Sequence, residues 1–256
     1  MRYGASPFGG MTPVVKNLLI INALVFFASI MLNSSYGIRI EDYLGLHVPM
    51  ADKFGPHQLI TYMFLHAYPG FGHVFFNMFA LFMFGRMLET TWGSKRFLIY
   101  YMATGVGAAT IQIITQYIEI MPMLQDITTA MNNPTYDNLK VFFHLEPNQT
   151  LNPEVARQSL MQFRTDYLNA QVTVGASGAV FGILLAFGML FPNIRLMLLF
   201  PPIPIKAKYF VIFYGIAELF LGVANFSFDN VAHFAHLGGM LFGFILIKYW
   251  QKKGIY

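Results

Sequence analysis

The chain has 256 residues, of which 56% are hydrophobic and only 11% are charged, with a net charge of +4. Soluble domains carry about 25% charged residues, so this composition is typical of a protein surrounded by lipid. The absence of cysteine excludes disulfides, thiolate metal sites and a cysteine nucleophile.

Apolar runs of nearly twenty residues recur along the chain. At 1.5 Å of rise per residue, a helix of this length crosses the hydrocarbon core of a bilayer. The runs predict an all-α, polytopic membrane protein with six transmembrane helices in a single domain, residues 1–256. The first run has no clear cleavage site after it, and we expect it to be an uncleaved helix. The predicted spans are residues 14–32, 72–88, 97–118, 172–191, 209–226 and 231–250.

Three connecting segments have distinct characters. The link after the first span contains a semi-apolar stretch, His57–His66, that suits a segment lying in the interface or dipping partway in. Residues 119–171 form a long outer insert, broken near Asn133, with a short helix expected over Ser159–Ala170. The proline-rich link Pro192–Lys208 predicts a stiff inner turn.

Charge placement predicts the orientation of the spans. With a cytoplasmic N-terminus, the inner segments carry eleven of the sixteen Lys and Arg residues, and ten of the twelve acids lie outside. The positive-inside rule therefore places both termini in the cytoplasm. Because the basic residues set topology, a nucleic-acid partner has little support.

Four polar residues on apolar spans are expected at one depth. Spans two, four and six all run inwards from the outer surface. His73 lies at the start of span two and Asn77 one turn deeper, while Ser177 and His236 each lie five residues into their spans. Five helical residues descend about 8 Å. Polar groups inside a membrane are costly and usually mark function.

These residue types point to nucleophilic catalysis. A serine hydroxyl becomes a nucleophile when a base, usually histidine, takes its proton. His73, Asn77 and the Ser177 backbone N–H are candidate donors to an oxyanion. Glu218 is expected well down span five and is interpreted as structural, so the predicted arrangement is a Ser–His dyad without an orienting carboxylate.

Glycines are expected to bring the two spans together. Gly175, Gly178 and Gly182 share one face of span four, and Gly239 and Gly243 form a G-x-x-x-G face on span six. Such faces let helix backbones approach closely.

These motifs, in this order, resemble those of rhomboid intramembrane serine proteases. They are H-x-x-x-N at His73–Asn77, GASGAxxG at Gly175–Gly182, and AH-x-x-G-x-x-x-G at Ala235–Gly243. The resemblance implies a six-helix rhomboid-like bundle that cleaves transmembrane helices of single-pass or multi-pass membrane proteins near their outer ends, within the lipid bilayer and without cofactor or metal.

The resemblance also implies the role of each site residue. Ser177 is the nucleophile and His236 the base, while His73, Asn77 and Gly175 bind the oxyanion or substrate. It further implies that His57–His66 forms a membrane-embedded loop containing a family histidine, His66. Phe181 stacks under the base. Span five and the loop Asn225–Asn230 gate substrate entry, with Phe226 and Phe228 in a cap.

Two other functions remain open. A catalytically silent rhomboid-like protein would bind membrane clients, although such relatives usually lose the serine or histidine that this chain keeps. A metal-binding or transport protein would use His233 and His236, three residues apart, with His66 and His73. Against this alternative, the chain lacks an H-E-x-x-H motif, and a metal-binding role would leave Ser177 unexplained. The compact form favours a bacterial plasma membrane, and the oligomeric state is unknown.

Overall fold

The computed structural model describes residues 10–67, 70–146, 152–197, 202–224 and 231–255. Helices dominate this part of the chain. In chain order they are α1 (Pro13–Tyr36), α2 (Glu41–Leu44), α3 (Gln58–Thr61), α4 (Phe71–Ala80), α5 (Arg86–Trp92), α6 (Ser94–Asn132), α7 (Tyr136–Leu139), α8 (Pro153–Ala170), α9 (Ser177–Leu190), α10 (Ala207–Ala224) and α11 (His233–Lys252). Two-residue strands β1 (Leu46–His47) and β2 (Val172–Thr173) precede β3 (Arg195–Met197) and β4 (Pro204–Lys206).

The prediction of an all-α polytopic membrane protein is confirmed. Among the described residues, four helices are long and apolar enough to cross a membrane: Pro13–Tyr36, Phe71–Trp92, Ser94–Asn132 and Ala207–Ala224. The second joins α4 to α5 through a π-helical turn, Leu81–Gly85. Helix α9 is apolar but has only 14 residues. A membrane crossing by all six predicted spans stays a prediction.

Several predicted boundaries were wrong, for local reasons. The helix of the fourth predicted span, α9, begins at Ser177 and not at residue 172, because Gly175 has φ +137°, which no α-helix accommodates. Ser177 is therefore the first residue of α9 and not five residues into it. His236 is the fourth residue of α11, which begins at His233.

The links around the helices also differ from the predictions. Helix α6 continues far beyond residue 118, with Pro122 inside it, and ends at Asn132 where a break was expected. The expected stiff turn before α10 contains an antiparallel hairpin. It pairs Arg195 with Lys206, Leu196 with Ile205 and Met197 with Pro204.

The chain divides into two compact units. One comprises residues 1–46, 57–112 and 173–256, and the other 47–56 and 113–172. The second unit, which includes α8 and the whole range of the predicted insert, has its own apolar core. Its buried residues are Val48, Ala51, Ile120, Leu124, Ile127, Ala130, Leu139, Ala156, Leu160 and Leu168. The single domain predicted over residues 1–256 stays a prediction.

A buried carboxylate ties helix starts together in the first unit. The two oxygens of Glu89, on α5, accept hydrogen bonds from the backbone N–H groups of Val14 and Val15, each at 2.9 Å. Ser94 donates its hydroxyl to Glu89 Oε1 at 2.6 Å. Because a helix start carries unpaired N–H groups and partial positive charge, this carboxylate stabilises the start of α1, and the Ser94 hydroxyl connects it to the first residue of α6.

Glycines set the close approach of α9 to α11, as predicted. A Cβ on Gly239 would overlap the carbonyl oxygen of Gly178. Gly182 and Gly243 instead face α6, where an added Cβ would meet Thr104 and Tyr100 respectively. Gly178 also faces α6, where an added Cβ would meet Ala108, and Gly175, predicted on the same face, lies before the start of α9.

Candidate active site

The first residue of α9 lies against α11. His236 Nε2 is 2.8 Å from the hydroxyl oxygen of Ser177, although the two residues are 59 positions apart. His236 is 6% exposed, and Ser177 is partly exposed. A base and a hydroxyl at this distance can exchange a proton.

A carboxylate completes this arrangement, contrary to the sequence-based expectation. Glu218 Oε2, on α10, lies 2.8 Å from His236 Nδ1. Glu218 was expected well down its helix, but it lies only about 9 Å before the last residue of α10, and His236 about 4.5 Å into α11.

The hydrogen bonds select a tautomer of His236. An ionised carboxylate only accepts, so Nδ1 carries the proton and donates it to Glu218. Nε2 is then left to accept the proton of the Ser177 hydroxyl. This is the arrangement that a serine, histidine and carboxylate triad requires, and here it replaces the predicted dyad geometry.

The same carboxylate oxygen has a second histidine partner. His233 Nδ1 lies 2.7 Å from Glu218 Oε2, and both residues are 8% exposed. Glu218 thus accepts hydrogen bonds from two imidazoles of α11, three residues apart on one helix face. Sequence spacing placed the histidines together. The sequence contains no local signal for the contact between Glu218 and these histidines, because that contact depends on how α10 pairs with α11.

An aromatic ring stacks against the imidazole of His236. The rings of Phe181 and His236 stack with centroids 4.2 Å apart and planes 5° from parallel. Phe181 lies one turn after Ser177 on α9, so one helix carries both the hydroxyl and the ring. The stacking implied by the family resemblance is confirmed.

Gly175 brings His73 to the serine. A Cβ at Gly175 would lie 3.1 Å from His73 Cε1 and 3.4 Å from Ser177 Oγ. Gly175 N–H donates to the carbonyl oxygen of Tyr62 at 3.0 Å, which holds the turn before α9. Ser177, at the helix start, presents an N–H that has no partner within the helix, in a field that favours negative charge.

Asn77 is buried beside His73 but faces its own helix. Its Nδ2 donates to the carbonyl oxygen of His73 at 3.0 Å, and the residue is 6% exposed. The structure therefore brings His73, Gly175 and Ser177 together. The expected oxyanion role of Asn77 stays a prediction.

The segment before α4 is folded into the protein. Within His57–His66, the side chains of Gln58, Tyr62 and Met63 are buried, and the Tyr62 hydroxyl donates to the carbonyl oxygen of Gly105 at 2.8 Å. The His66 ring lies 5.3 Å from that of His73. Burial, helped by this neighbouring imidazole, lowers the pKa of His66 to about 4.

Two other predictions concern the surroundings of the site. The loop Asn225–Asn230, with the expected cap residues Phe226 and Phe228, lies outside the described residues. Among the residues that are described, one group of three or more His, Asp and Glu side chains has metal-binding geometry: Glu218, His233 and His236. It contains neither His66 nor His73, which the metal-binding alternative had joined to it.

Two comparisons relate the chain to known proteins. The chain matches the family model of the Rhomboid domain over residues 53–120 and 154–252, more than half of its length. It is also 27% identical over 220 residues to a protein of Schizosaccharomyces pombe described as an uncharacterized mitochondrial rhomboid protein. That match covers 77% of this chain and 52% of the yeast protein, so the chain spans about half the length of this relative.

Proposed function

The chain belongs to the rhomboid family, and we propose that it is an intramembrane serine protease that cleaves substrate transmembrane helices near their outer ends. The observation that carries the proposal is the 2.8 Å contact between Ser177 Oγ and His236 Nε2 at the start of α9. A silent family member would have no need of a serine aligned with a base and a carboxylate.

The chemistry follows from the hydrogen-bonded series. Ser177 Oγ attacks the carbonyl carbon of the scissile peptide bond while its proton passes to His236 Nε2. Glu218 stabilises the resulting imidazolium through Nδ1–H. When the tetrahedral intermediate collapses, the C–N bond breaks and His236 returns the proton to the leaving amine. Water, deprotonated by the same histidine, then hydrolyses the acyl-enzyme.

The oxyanion is assigned to the start of α9. The proposed donors are the Ser177 N–H and a ring N–H of His73, because a Cβ on Gly175 would lie 3.1 Å from the His73 ring and 3.4 Å from Ser177 Oγ. Donors aimed at a developing oxyanion contribute more than donors to the ground-state carbonyl, because they stabilise the transition state selectively. Asn77 is proposed as a further donor that reaches substrate once its bond to His73 opens.

The substrate must present an extended segment. An intact helix engages its own carbonyls, so we expect residues that destabilise the substrate helix to accelerate cleavage. The partners are single-pass or multi-pass membrane proteins in the bilayer, and no cofactor is required. The cytoplasmic position of both termini and the bacterial plasma membrane stay predictions.

The test is covalent labelling of the purified protein by a fluorophosphonate probe. The parent should be labelled, and Ser177→Ala and His236→Ala should not be. Glu218→Gln should be labelled at least about tenfold more slowly, because it loses the charge that stabilises the imidazolium. Ser34→Ala, which removes an exposed hydroxyl on α1, is the matched control and should be labelled like the parent.

Other outcomes would decide against the proposal. A folded parent that is unlabelled in several detergents and in liposomes would favour the silent client-binding protein. Labelling that persists in Ser177→Ala would place the nucleophile elsewhere.

A further inference from the structure

Three side chains beside the serine form a set of potential metal ligands. One ligand atom from each of Glu218, His233 and His236 lies within 4.8 Å of the other two, and all three residues are buried. Two are imidazoles on one face of α11, and the third is a carboxylate from α10. The catalytic chemistry proposed above uses Glu218 and His236 but leaves His233 without a role.

The donor set selects a class of ion. Two imidazole nitrogens and one carboxylate oxygen are ligands that Zn²⁺ accepts in four-coordinate sites whose last position is open to water. Hard cations such as Mg²⁺ and Ca²⁺ prefer oxygen ligands and rarely use imidazole. Ligands about 2.0–2.1 Å from zinc stand roughly 3.3 Å apart in a tetrahedron. The two imidazole nitrogens, now 2.7 and 2.8 Å from Glu218 Oε2, need to move away from that oxygen by about 0.5 Å to reach this spacing.

We propose that Glu218, His233 and His236 bind a zinc-class divalent ion, and that binding switches the protease off. The inhibitory part rests on the proposed function. An ion held by His236 Nδ1 requires that nitrogen to be deprotonated, so the ring proton moves to Nε2. Nε2–H then donates to Ser177 Oγ and no longer accepts its proton, and Glu218 no longer stabilises an imidazolium.

The site is tested by calorimetric titration of ZnCl₂ into chelator-treated protein in detergent. The parent and Ser177→Ala should each bind one equivalent, because the serine is not a ligand. His233→Gln keeps an N–H donor for Glu218 but removes the imidazole, and Glu218→Gln removes the carboxylate. Each substitution should weaken zinc binding at least about tenfold, because mutating a residue that only hydrogen-bonds to a metal ligand already lowers metal affinity by about that factor. His144→Ala removes an exposed histidine of the other unit and should change nothing.

The switch is tested by fluorophosphonate labelling of the same samples. Zn²⁺ should abolish labelling of the parent in step with occupancy, and EDTA should restore it, whereas Mg²⁺ should have no effect. In His233→Gln, the zinc concentration that halves labelling should rise at least about tenfold, in step with the weaker binding.

The outcomes separate the two proposals. No stoichiometric binding, or equal binding by His233→Gln and the parent, would overturn the metal site. Binding without loss of labelling would overturn the switch. A parent that binds zinc but is unlabelled without it would overturn the protease and its regulation, while the metal site would stand.

Discussion

At the scale of single residues, the imidazole of His236, the proposed base, is held on three sides. Serine, glutamate and phenylalanine each contact a different part of the His236 ring: Ser177 at Nε2, Glu218 at Nδ1 and Phe181 on its face. The two hydrogen bonds fix the tautomer, and the stacked ring fixes the plane. In the proposed mechanism, an imidazole oriented in this way would lose little freedom on taking the serine proton.

The stacking contact should be measurable in the labelling rate. Phe181→Ala removes a contact of about 0.5–1.5 kcal/mol, so we expect fluorophosphonate labelling to slow by about two- to twelvefold. Phe181→Tyr keeps the ring and should stay close to the parent. Phe213→Ala truncates an aromatic of α10 that is 68% exposed and serves as the control. Equal labelling of Phe181→Ala and the parent would mean that stacking does not orient the base.

His66 should make the folded state sensitive to acid. Its pKa is about 4 in the folded protein and about 6.5 when exposed, so the folded state disfavours protonation. The contribution of neutral His66 to the free energy of unfolding is fully present above pH 6.5. It is lost as the pH falls towards 4, and the total loss is about 3 kcal/mol. His73, whose ring faces His66, adds repulsion when it is charged.

The measurement is the Tm of the detergent-solubilised protein between pH 7.5 and pH 4. The parent should lose Tm across this window, and His66→Phe, which cannot be protonated, should lose less. His144→Phe, at an exposed position, should follow the parent. Parallel curves for His66→Phe and the parent would show that His66 is not protonated on unfolding.

At the scale of helices, the contact between α9 and α11 depends on the absence of side chains. A methyl group at Gly239 has no space, because Gly178 O occupies its position. Gly239→Ala should therefore separate the helices and with them Ser177 from His236, lowering both Tm and labelling. Gly72→Ala, in α4, adds a methyl group with no atom within 4 Å and is the control. We expect it to be neutral or to stabilise by up to about 1 kcal/mol. Unchanged labelling of Gly239→Ala would contradict the close approach.

The helices and their contacts differ in how far the sequence could predict them. Apolar run length predicted the long helices, and motif spacing predicted that Ser177 and His236 share one level, since both signals are local. The contact of Glu218 with two histidines depends on how α10 pairs with α11, which no local pattern reports. The start of α9 was predicted too early because the apolar run extends through Gly175. The positive φ of Gly175 prevents the helix from beginning before that residue.

At the scale of the whole molecule, the predicted insert is more than a connection between spans. Residues 47–56 and 113–172 form a compact unit with buried apolar side chains contributed by α6, α7 and α8. Asn152 caps α8 by accepting the N–H of Glu154, and Arg157 donates to the carbonyl oxygen of Met131 at 3.0 Å. A loop that only linked two spans would have no need of such a core.

This core gives a prediction that does not depend on catalysis. Leu160, on α8, is fully buried, so Leu160→Ala should lower the free energy of unfolding of this unit by about 2–5 kcal/mol. Val155→Ala truncates a side chain of the same helix that is 55% exposed and should cost little. Hydrogen exchange measured by mass spectrometry should rise in α8 and in residues 113–132 for Leu160→Ala and not for Val155→Ala. If both variants exchanged like the parent, the apolar side chains of residues 113–172 would not act as a cooperative core, and α8 would be held by its cap and its polar contacts alone.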